Sequence, residues 1–220
     1  MAFASDRDRL SVPATEAARH LLGAVLTHDA DGGRVSVRIT EVEAYMGEAD
    51  PGSHAFRGRT ARNATMFGPA GHLYVYFTYG MHYCANVVCG TEGYATGLLL
   101  RGGEVVEGAE IAAVRRGNPR SALDLARGPA RLAQALGIAR GLDGADVFSG
   151  PLHLALPAEP VPADQVSTGP RVGVSGPGGT GEYPWRYWLT GDPTVSKYRP
   201  AQPRRRTAAG ATAVRPGLVP

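Results

Sequence analysis

The sequence predicts an α+β fold, in which one mixed domain holds more strands than helices, and three observations favour it. Residues 34–45 alternate between apolar and polar side chains, as a half-buried strand does. Residues 73–88 are rich in aromatic and β-branched side chains and contain one glycine, which is typical of two paired strands. Residues 107–116 and 129–138 instead carry apolar side chains at helical spacing.

Further elements are predicted on either side of these. Residues 1–10 are polar, and we expect them to be frayed. A proline at the entry and a glycine at the exit indicate a short helix over 14–22, and a turn is predicted at Asp31-Gly32-Gly33. Shorter apolar runs predict four more strands, over 24–29, 151–156, 171–174 and 185–190.

The alternating strand carries two acidic residues at positions that continue its apolar series. Its odd positions are apolar up to Ile39, and the next odd positions are Glu41, Glu43 and Tyr45. If the strand keeps its phase, both carboxylates point to the same side as the core, where a charge is costly unless it is paired or used in function. The alternative is a phase slip near Thr40, which would place both glutamates in solvent.

The aromatic stretch predicts a β-hairpin with a tyrosine at its tip. Strands over Leu73–Thr78 and His82–Val88 would be joined by Tyr79-Gly80, where Gly80 supplies the positive φ of a tight turn. The apolar side chains of both strands are expected to pack in the core or across the strands. Tyr79 is expected to act as a wedge for a partner such as a stacked nucleic acid, because a hairpin tip is a poor place to bury a ring.

Residues 46–72 contain repeated Gly and Pro residues and predict a long irregular loop. Loops of this length in compact domains are usually functional or disordered. This one carries His54, Arg57, Arg59 and Arg62, so it predicts either an ordered loop that contacts phosphates or a solvated basic loop.

Composition limits the class of protein. The net charge of +3 permits a polyanionic partner without requiring one, and Lys197 is the only lysine. The two cysteines lack the spacing of a zinc site or a disulfide framework, so we expect reduced thiols and no metal. No signal peptide or membrane span is predicted, which favours a soluble, cytoplasmic protein. We expect one domain over 1–200 and a disordered, basic tail over 201–220.

A series of motifs in order resembles the alkyladenine, or 3-methyladenine, DNA glycosylase family. The matching residues run Glu41-Val42-Glu43-Ala44-Tyr45, Asp50-Pro51, His54, Gly58-Arg59-Thr60, Arg62-Asn63, Met66-Phe67, Tyr74-Val75-Tyr76, Tyr79-Gly80-Met81, Asn86 and Leu99-Leu100-Arg101. The resemblance is dense from 38 to 101 and continues at 128–132 and 170–174. One departure follows Arg101, where Gly102-Gly103-Glu104-Val105 replaces an Ala-Leu-Glu-Pro type of sequence.

The resemblance implies a fold, an activity and a set of site residues. The fold would be a curved antiparallel sheet with flanking helices and a protruding hairpin. The activity would be hydrolytic removal of an alkylated or deaminated purine from double-stranded DNA, by a monomer that needs no cofactor. Glu43 would activate the water, with Arg101 near the water and the DNA backbone. The other implied residues are Tyr45, His54, Tyr76 and Asn86 around the flipped base, and Tyr79 in the gap that the base leaves.

Two other functions stay open at the level of sequence. A noncatalytic nucleic-acid-binding protein of similar fold would not need Glu43, because an acid in a phosphate-binding cleft repels the ligand. An enzyme acting on free nucleosides would not need Tyr79 or the arginine-containing loop.

Overall fold

A curved antiparallel sheet forms the framework of the protein in the computed structural model, which describes residues 5–30, 32–78 and 80–201. Its strands in chain order are β1 (Val25–Ala30), β2 (Gly33–Met46), β3 (Leu73–Thr78), β4 (His82–Val88), β5 (Thr96–Glu107), β6 (Ala126–Arg127), β7 (Leu152–Ala155), β8 (Val166–Gly169) and β9 (Arg186–Leu189). The main path is β3-β4-β5-β2-β1-β7, while β6 pairs with β5 and β9 links β2 to β8.

Four helices among the described residues flank this sheet. They are α1 (Asp6–Leu10), α2 (Ala14–Leu21), α3 (Ala109–Arg115) and α4 (Pro129–Leu136). The apolar faces of α2 and α4 supply Leu21, Leu132 and Leu136 to the main core, and all three side chains are fully buried. The predicted α+β class is confirmed.

The structure corrects several predicted elements. Residues 6–10 form α1 instead of a frayed end, because Ser5 caps the helix and accepts a hydrogen bond from the Asp8 N–H. Residues 171–174 are not a strand, because the Val172 N–H is bonded to the Glu43 carboxylate instead of to a neighbouring strand. The predicted tail lies outside the described residues from 202 onward, and so does Asp31 of the predicted turn.

The hairpin strands β3 and β4 have the predicted bounds, and their register pairs Thr78 with His82. The connection is three residues long instead of two, because Met81 also belongs to the turn and its N–H donates to the Thr78 carbonyl. Gly80 has the expected positive φ of 67°. Tyr79 lies outside the described residues.

The phase of β2 changes at Thr40, so the prediction that the strand keeps its phase is wrong. Val35, Val37 and Ile39 lie in the main core, but beyond Thr40 the core residues are Val42 and Ala44. The register with β5 slips at Thr40 and slips back at Arg101, as β-bulges produce. The slip does not expose the glutamates, as the alternative required. Instead both are fully buried on the opposite face.

Glu41 and Glu43 are buried because other parts of the chain cover the second face of β2. Strand β9 pairs with the edge of β2 at Glu41, Val42 and Glu43, and its Arg186 side chain reaches over this face to bond the Glu41 carboxylate. Two further segments, one near Val172 and one near Ser196, donate main-chain N–H groups to the two carboxylates. The bulged region of β2 is therefore buried on both faces, and its second face carries polar chemistry.

Candidate active site

A cavity of about 500 Å³ opens on the second face of β2, between the hairpin strands and two loops. Its lining includes six of the residues expected around a flipped base and its attacking water, namely Glu43, Tyr45, His54, Tyr76, Asn86 and Arg101. The loop at Pro51-Gly52 and the segment 172–175 complete its walls. The structure thus brings together residues that lie up to 132 positions apart in the chain, from Glu43 to Ser175.

Glu43 lies on the cavity wall with both carboxylate oxygens engaged. Oε1 accepts a hydrogen bond of 2.7 Å from the Val172 N–H, and Oε2 accepts one of 2.9 Å from the Tyr45 hydroxyl. Burial raises the pKa of Glu43, while Arg101 and these two donors oppose the shift and nearby Glu41 adds to it. The geometry therefore presents an oriented carboxylate that is more basic than an ordinary glutamate.

Arg101 lies between Glu43 and a second carboxylate, Glu41. Its Nε is 3.4 Å from Glu43 Oε1 and 3.1 Å from Glu41 Oε1, yet it makes a well-aligned hydrogen bond with neither. The side chain is almost fully buried. A bulge in β5 produces this position, because it directs Arg101 and Gly102 towards the carboxylates.

The Gly102-Gly103 departure has a steric explanation. A Cβ at Gly102 would lie 3.0 Å from Glu41 Oε2, and a Cβ at Gly103 would lie 2.4 Å from Val37 Cγ1. The two glycines therefore allow β5 to approach β2 closely at the bulge. Arg101 keeps its position beside both carboxylates with this sequence.

Three aromatic rings form one wall of the cavity. Tyr74 and Tyr76 are stacked with centroids 5.6 Å apart, and His54 meets Tyr76 edge-on at 4.6 Å. Packing of His54 in this wall lowers its pKa, and the positive charge of Arg62 lowers it further. Tyr74 was not among the predicted site residues, although its place in the Tyr74-Val75-Tyr76 motif was a usable signal.

Tyr45 forms another wall and is held from behind by Arg171. The guanidinium carbon of Arg171 lies 4.5 Å from the centre of the Tyr45 ring, a cation–π contact. Arg171 is fully buried, and its two NH groups bond Asp50 at 2.5 and 2.6 Å. This buried ion pair joins the loop after β2 to the segment that carries Val172, so it connects two walls of the cavity.

Asn86 lies at the inner end of the cavity on β4. Its side-chain amide is buried and donates a 3.3 Å hydrogen bond to the Tyr74 carbonyl, which fixes its orientation. Cys84, two residues earlier on the same strand, also lines the cavity, and burial raises the pKa of its thiol.

The loop arginines lie outside the cavity. Arg57, Arg59 and Arg62 are exposed and do not line it. The loop itself is ordered by Asn63, which is buried and bonds the carbonyls of His54 and Gly58 and the N–H of Thr60. The loop is therefore held in one conformation with its arginines exposed, and the choice between phosphate contact and a solvated basic loop stays a prediction.

Two further observations concern the described residues as a set. No three of their His, Cys, Asp and Glu side chains are placed to hold a metal ion. None of their helices combines the length and hydropathy needed to cross a bilayer.

Comparison with known proteins adds to this geometry. The family model described as methylpurine-DNA glycosylase matches residues 8–193. A relative from Streptomyces avermitilis is 57% identical over 203 residues, which cover 91% of this chain and 94% of the relative. A relative from Leifsonia xyli is 55% identical over 88% of this chain and 92% of its own length. A third, from Nocardia farcinica, is 49% identical over 94% of this chain and 96% of its own. All three are named as candidate 3-methyladenine DNA glycosylases.

Proposed function

This chain belongs to the methylpurine-DNA glycosylase family and is a DNA glycosylase, and we propose that it removes alkylated and deaminated purines from duplex DNA. The damaged base leaves the stack and enters the cavity. Water then cleaves the N-glycosidic bond and leaves an abasic site. The observation that carries the proposal is the buried, oriented carboxylate of Glu43 on the wall of the cavity.

Glu43 is the general base in this proposal. Cleavage of the N-glycosidic bond builds positive charge on the sugar, as in other glycoside hydrolyses. The negative charge of Glu43 stabilises the developing sugar cation, and the carboxylate then takes a proton from the attacking water. The hydrogen bonds from Val172 and Tyr45 fix the carboxylate, so little reorganisation is needed during the reaction. Arg101 is the nearest positive charge to this carboxylate, with its Nε 3.4 Å from Glu43 Oε1.

The aromatic walls suit an electron-poor base. Purines with an alkylated ring nitrogen are cationic, and a tyrosine face attracts a cation. Tyr45 and Tyr76 offer such faces on the cavity wall. The lowered pKa of His54 keeps its ring neutral at pH 7, so it does not repel a cationic base. Asn86 is held at the inner end, where it can reject the exocyclic amine of guanine by clash or by an unpaired donor.

The hairpin and the arginine loop would contact the duplex. Tyr79 is proposed to fill the gap that the flipped base leaves, on the basis of its place in the turn beside Gly80. Arg57, Arg59 and Arg62 are proposed to contact phosphates, because they are exposed on an ordered loop that borders the cavity at His54.

Base release from defined duplexes tests this function. Duplexes with one 3-methyladenine, 7-methylguanine, hypoxanthine or 1,N6-ethenoadenine are incubated with excess protein, and free base and abasic product are measured. We expect both products from at least the alkylated purines, and none from a matched undamaged duplex. Duplex binding without release would favour the noncatalytic function, and release from free nucleosides at a similar rate would favour the nucleoside enzyme.

A further inference from the structure

A second carboxylate, Glu41, lies on the side of Glu43 away from the cavity and has no role in the proposed chemistry. Its Oε1 accepts hydrogen bonds from Arg186 Nε at 2.6 Å and from the Ser196 hydroxyl at 3.0 Å. Its Oε2 accepts one from the Ser196 N–H at 2.7 Å. Glu41 is fully buried and does not line the cavity. It therefore cannot reach the attacking water and is not an alternative base.

Arg101 connects this buried carboxylate to Glu43. Its Nε is a buried donor without an aligned acceptor, and such groups are rare in folded proteins. Both carboxylates lie within ion-pair distance of it, and Glu41 is the nearer by 0.3 Å, at 3.1 against 3.4 Å. Arg101 is therefore shared, and neither carboxylate holds it in a complete hydrogen-bonded pair.

We propose that Glu41 is a positioning residue, whose carboxylate holds Arg101 partly away from Glu43 and so keeps Glu43 free to accept the proton of the attacking water. An ionised carboxylate has about four lone-pair sites. Val172 and Tyr45 already use two on Glu43, and a full ion pair with Arg101 would use more. The inference rests on the proposed function, because it takes Glu43 as the base.

The charged groups around Glu43 set its pKa, so removing one of them gives a measurable change. The titratable or charged groups that face it from the packed elements are Glu41 and Tyr45 on β2, Tyr76 on β3, Cys84 on β4, Arg101 on β5 and Arg171 after β8. Arg186 on β9 balances Glu41. Removing the Glu41 charge leaves Arg101 to pair with Glu43 and lowers the pKa of Glu43. Removing the Arg186 charge leaves the Glu41 charge uncompensated, which raises the pKa of Glu43.

The test is the pH profile of single-turnover base release from a hypoxanthine duplex, with three variants. We expect Glu41→Gln to move the acidic limb down by about one pH unit, the usual scale for a nearby charge. Its plateau should fall about threefold, since a weaker base transfers protons less effectively. Arg186→Gln should move the limb up by about the same amount. The double variant Glu41→Gln/Arg186→Gln restores the charge balance and should bring the limb back towards wild type.

A purely structural role for Glu41 gives a different pattern. It predicts a lower melting temperature and a lower rate for each single variant, a partial recovery of both in the double variant, and a limb that stays at the wild-type pH in all three. That pattern, or shifts of the two single variants in the same direction, overturns the inference. If Glu41→Gln does not fold, Arg186→Gln decides alone, and an unmoved limb overturns the inference. Wild-type release by Glu43→Gln would instead overturn the proposed function itself.

Discussion

At the scale of single residues, Glu43 shows a conflict between activity and stability. Burial raises the pKa of Glu43, so folding favours its protonated form. Its contribution to stability is fully present below the pKa of the unfolded chain and is lost as the pH rises through the folded pKa. An ionised Glu43 at neutral pH, which the proposed catalysis needs, therefore costs folding free energy.

Glu43→Gln tests both sides of this conflict. We expect base release to fall to background while duplex binding persists, because the amide keeps the shape but cannot accept the proton. We also expect the melting temperature at pH 7 to rise, because the amide carries no charge that has to be buried. The measurements are single-turnover release, duplex titration and a thermal melt. Retained release would remove Glu43 as the base, and a lower melting temperature would contradict the stability argument.

At the scale of elements, the hairpin shows how far sequence can predict structure here. Its two strands have the predicted bounds, because a glycine interrupts an otherwise continuous run of aromatic and β-branched residues. The phase of β2 could not be predicted in the same way. Alternation is readable only where one face is apolar and the other polar, whereas the bulged part of β2 is buried on both faces.

Tyr79→Ser tests the proposed role of the hairpin tip. Stacking on an aromatic ring is worth about 1–3 kcal/mol per base, so its loss should shift flipping back by about one to two powers of ten. We expect a large loss of single-turnover release for a well-paired lesion and a small loss for the same lesion in a single strand. The melting temperature should barely change. Equal losses on the two substrates, or a melt lowered by many degrees, would make Tyr79 a packing residue.

The buried pair of Asp50 and Arg171 joins two walls of the cavity. Arg171→Met should destabilise the protein by about 3–5 kcal/mol, because it leaves the Asp50 carboxylate buried and unpaired. The matched control Asp50→Asn/Arg171→Met removes both charges and should cost markedly less. Denaturant unfolding of the two variants measures the difference. Equal losses would show that packing of the Arg171 side chain on Tyr45 matters more than the charge.

At the scale of the whole molecule, the position of the single lysine favours water as the nucleophile. The only lysine, Lys197, is exposed and does not line the cavity. We therefore expect abasic product to accumulate at neutral pH without strand scission, and borohydride to trap no protein–DNA adduct. A known bifunctional glycosylase serves as the positive control for trapping. A trapped adduct that persists in Lys197→Ala would point to another amine of the chain and contradict the water mechanism.

The site as a whole was only partly predictable. Glu43, Tyr45, His54, Tyr76, Asn86 and Arg101 were identified by resemblance, and the structure gathers them around one cavity. The supporting contacts of Val172, Arg186 and Ser196 were not predicted. They act through main-chain N–H groups or a distant strand, so even the matched motif at 170–174 does not show which group they contact.

The contacts of β9 and Val172 with β2 come late in the chain, so they also determine when the enzyme becomes active during its synthesis. A ribosome adding about 5–20 residues per second makes Val172 roughly ten seconds after Glu43. Until then, the nascent chain has the sheet strands that carry both glutamates but lacks the donors that bury and orient them. A partial chain that ends before residue 170 therefore holds the proposed general base, Glu43, without the contacts that orient it. The ribosome therefore has to synthesise β9 before this protein can excise a base from DNA.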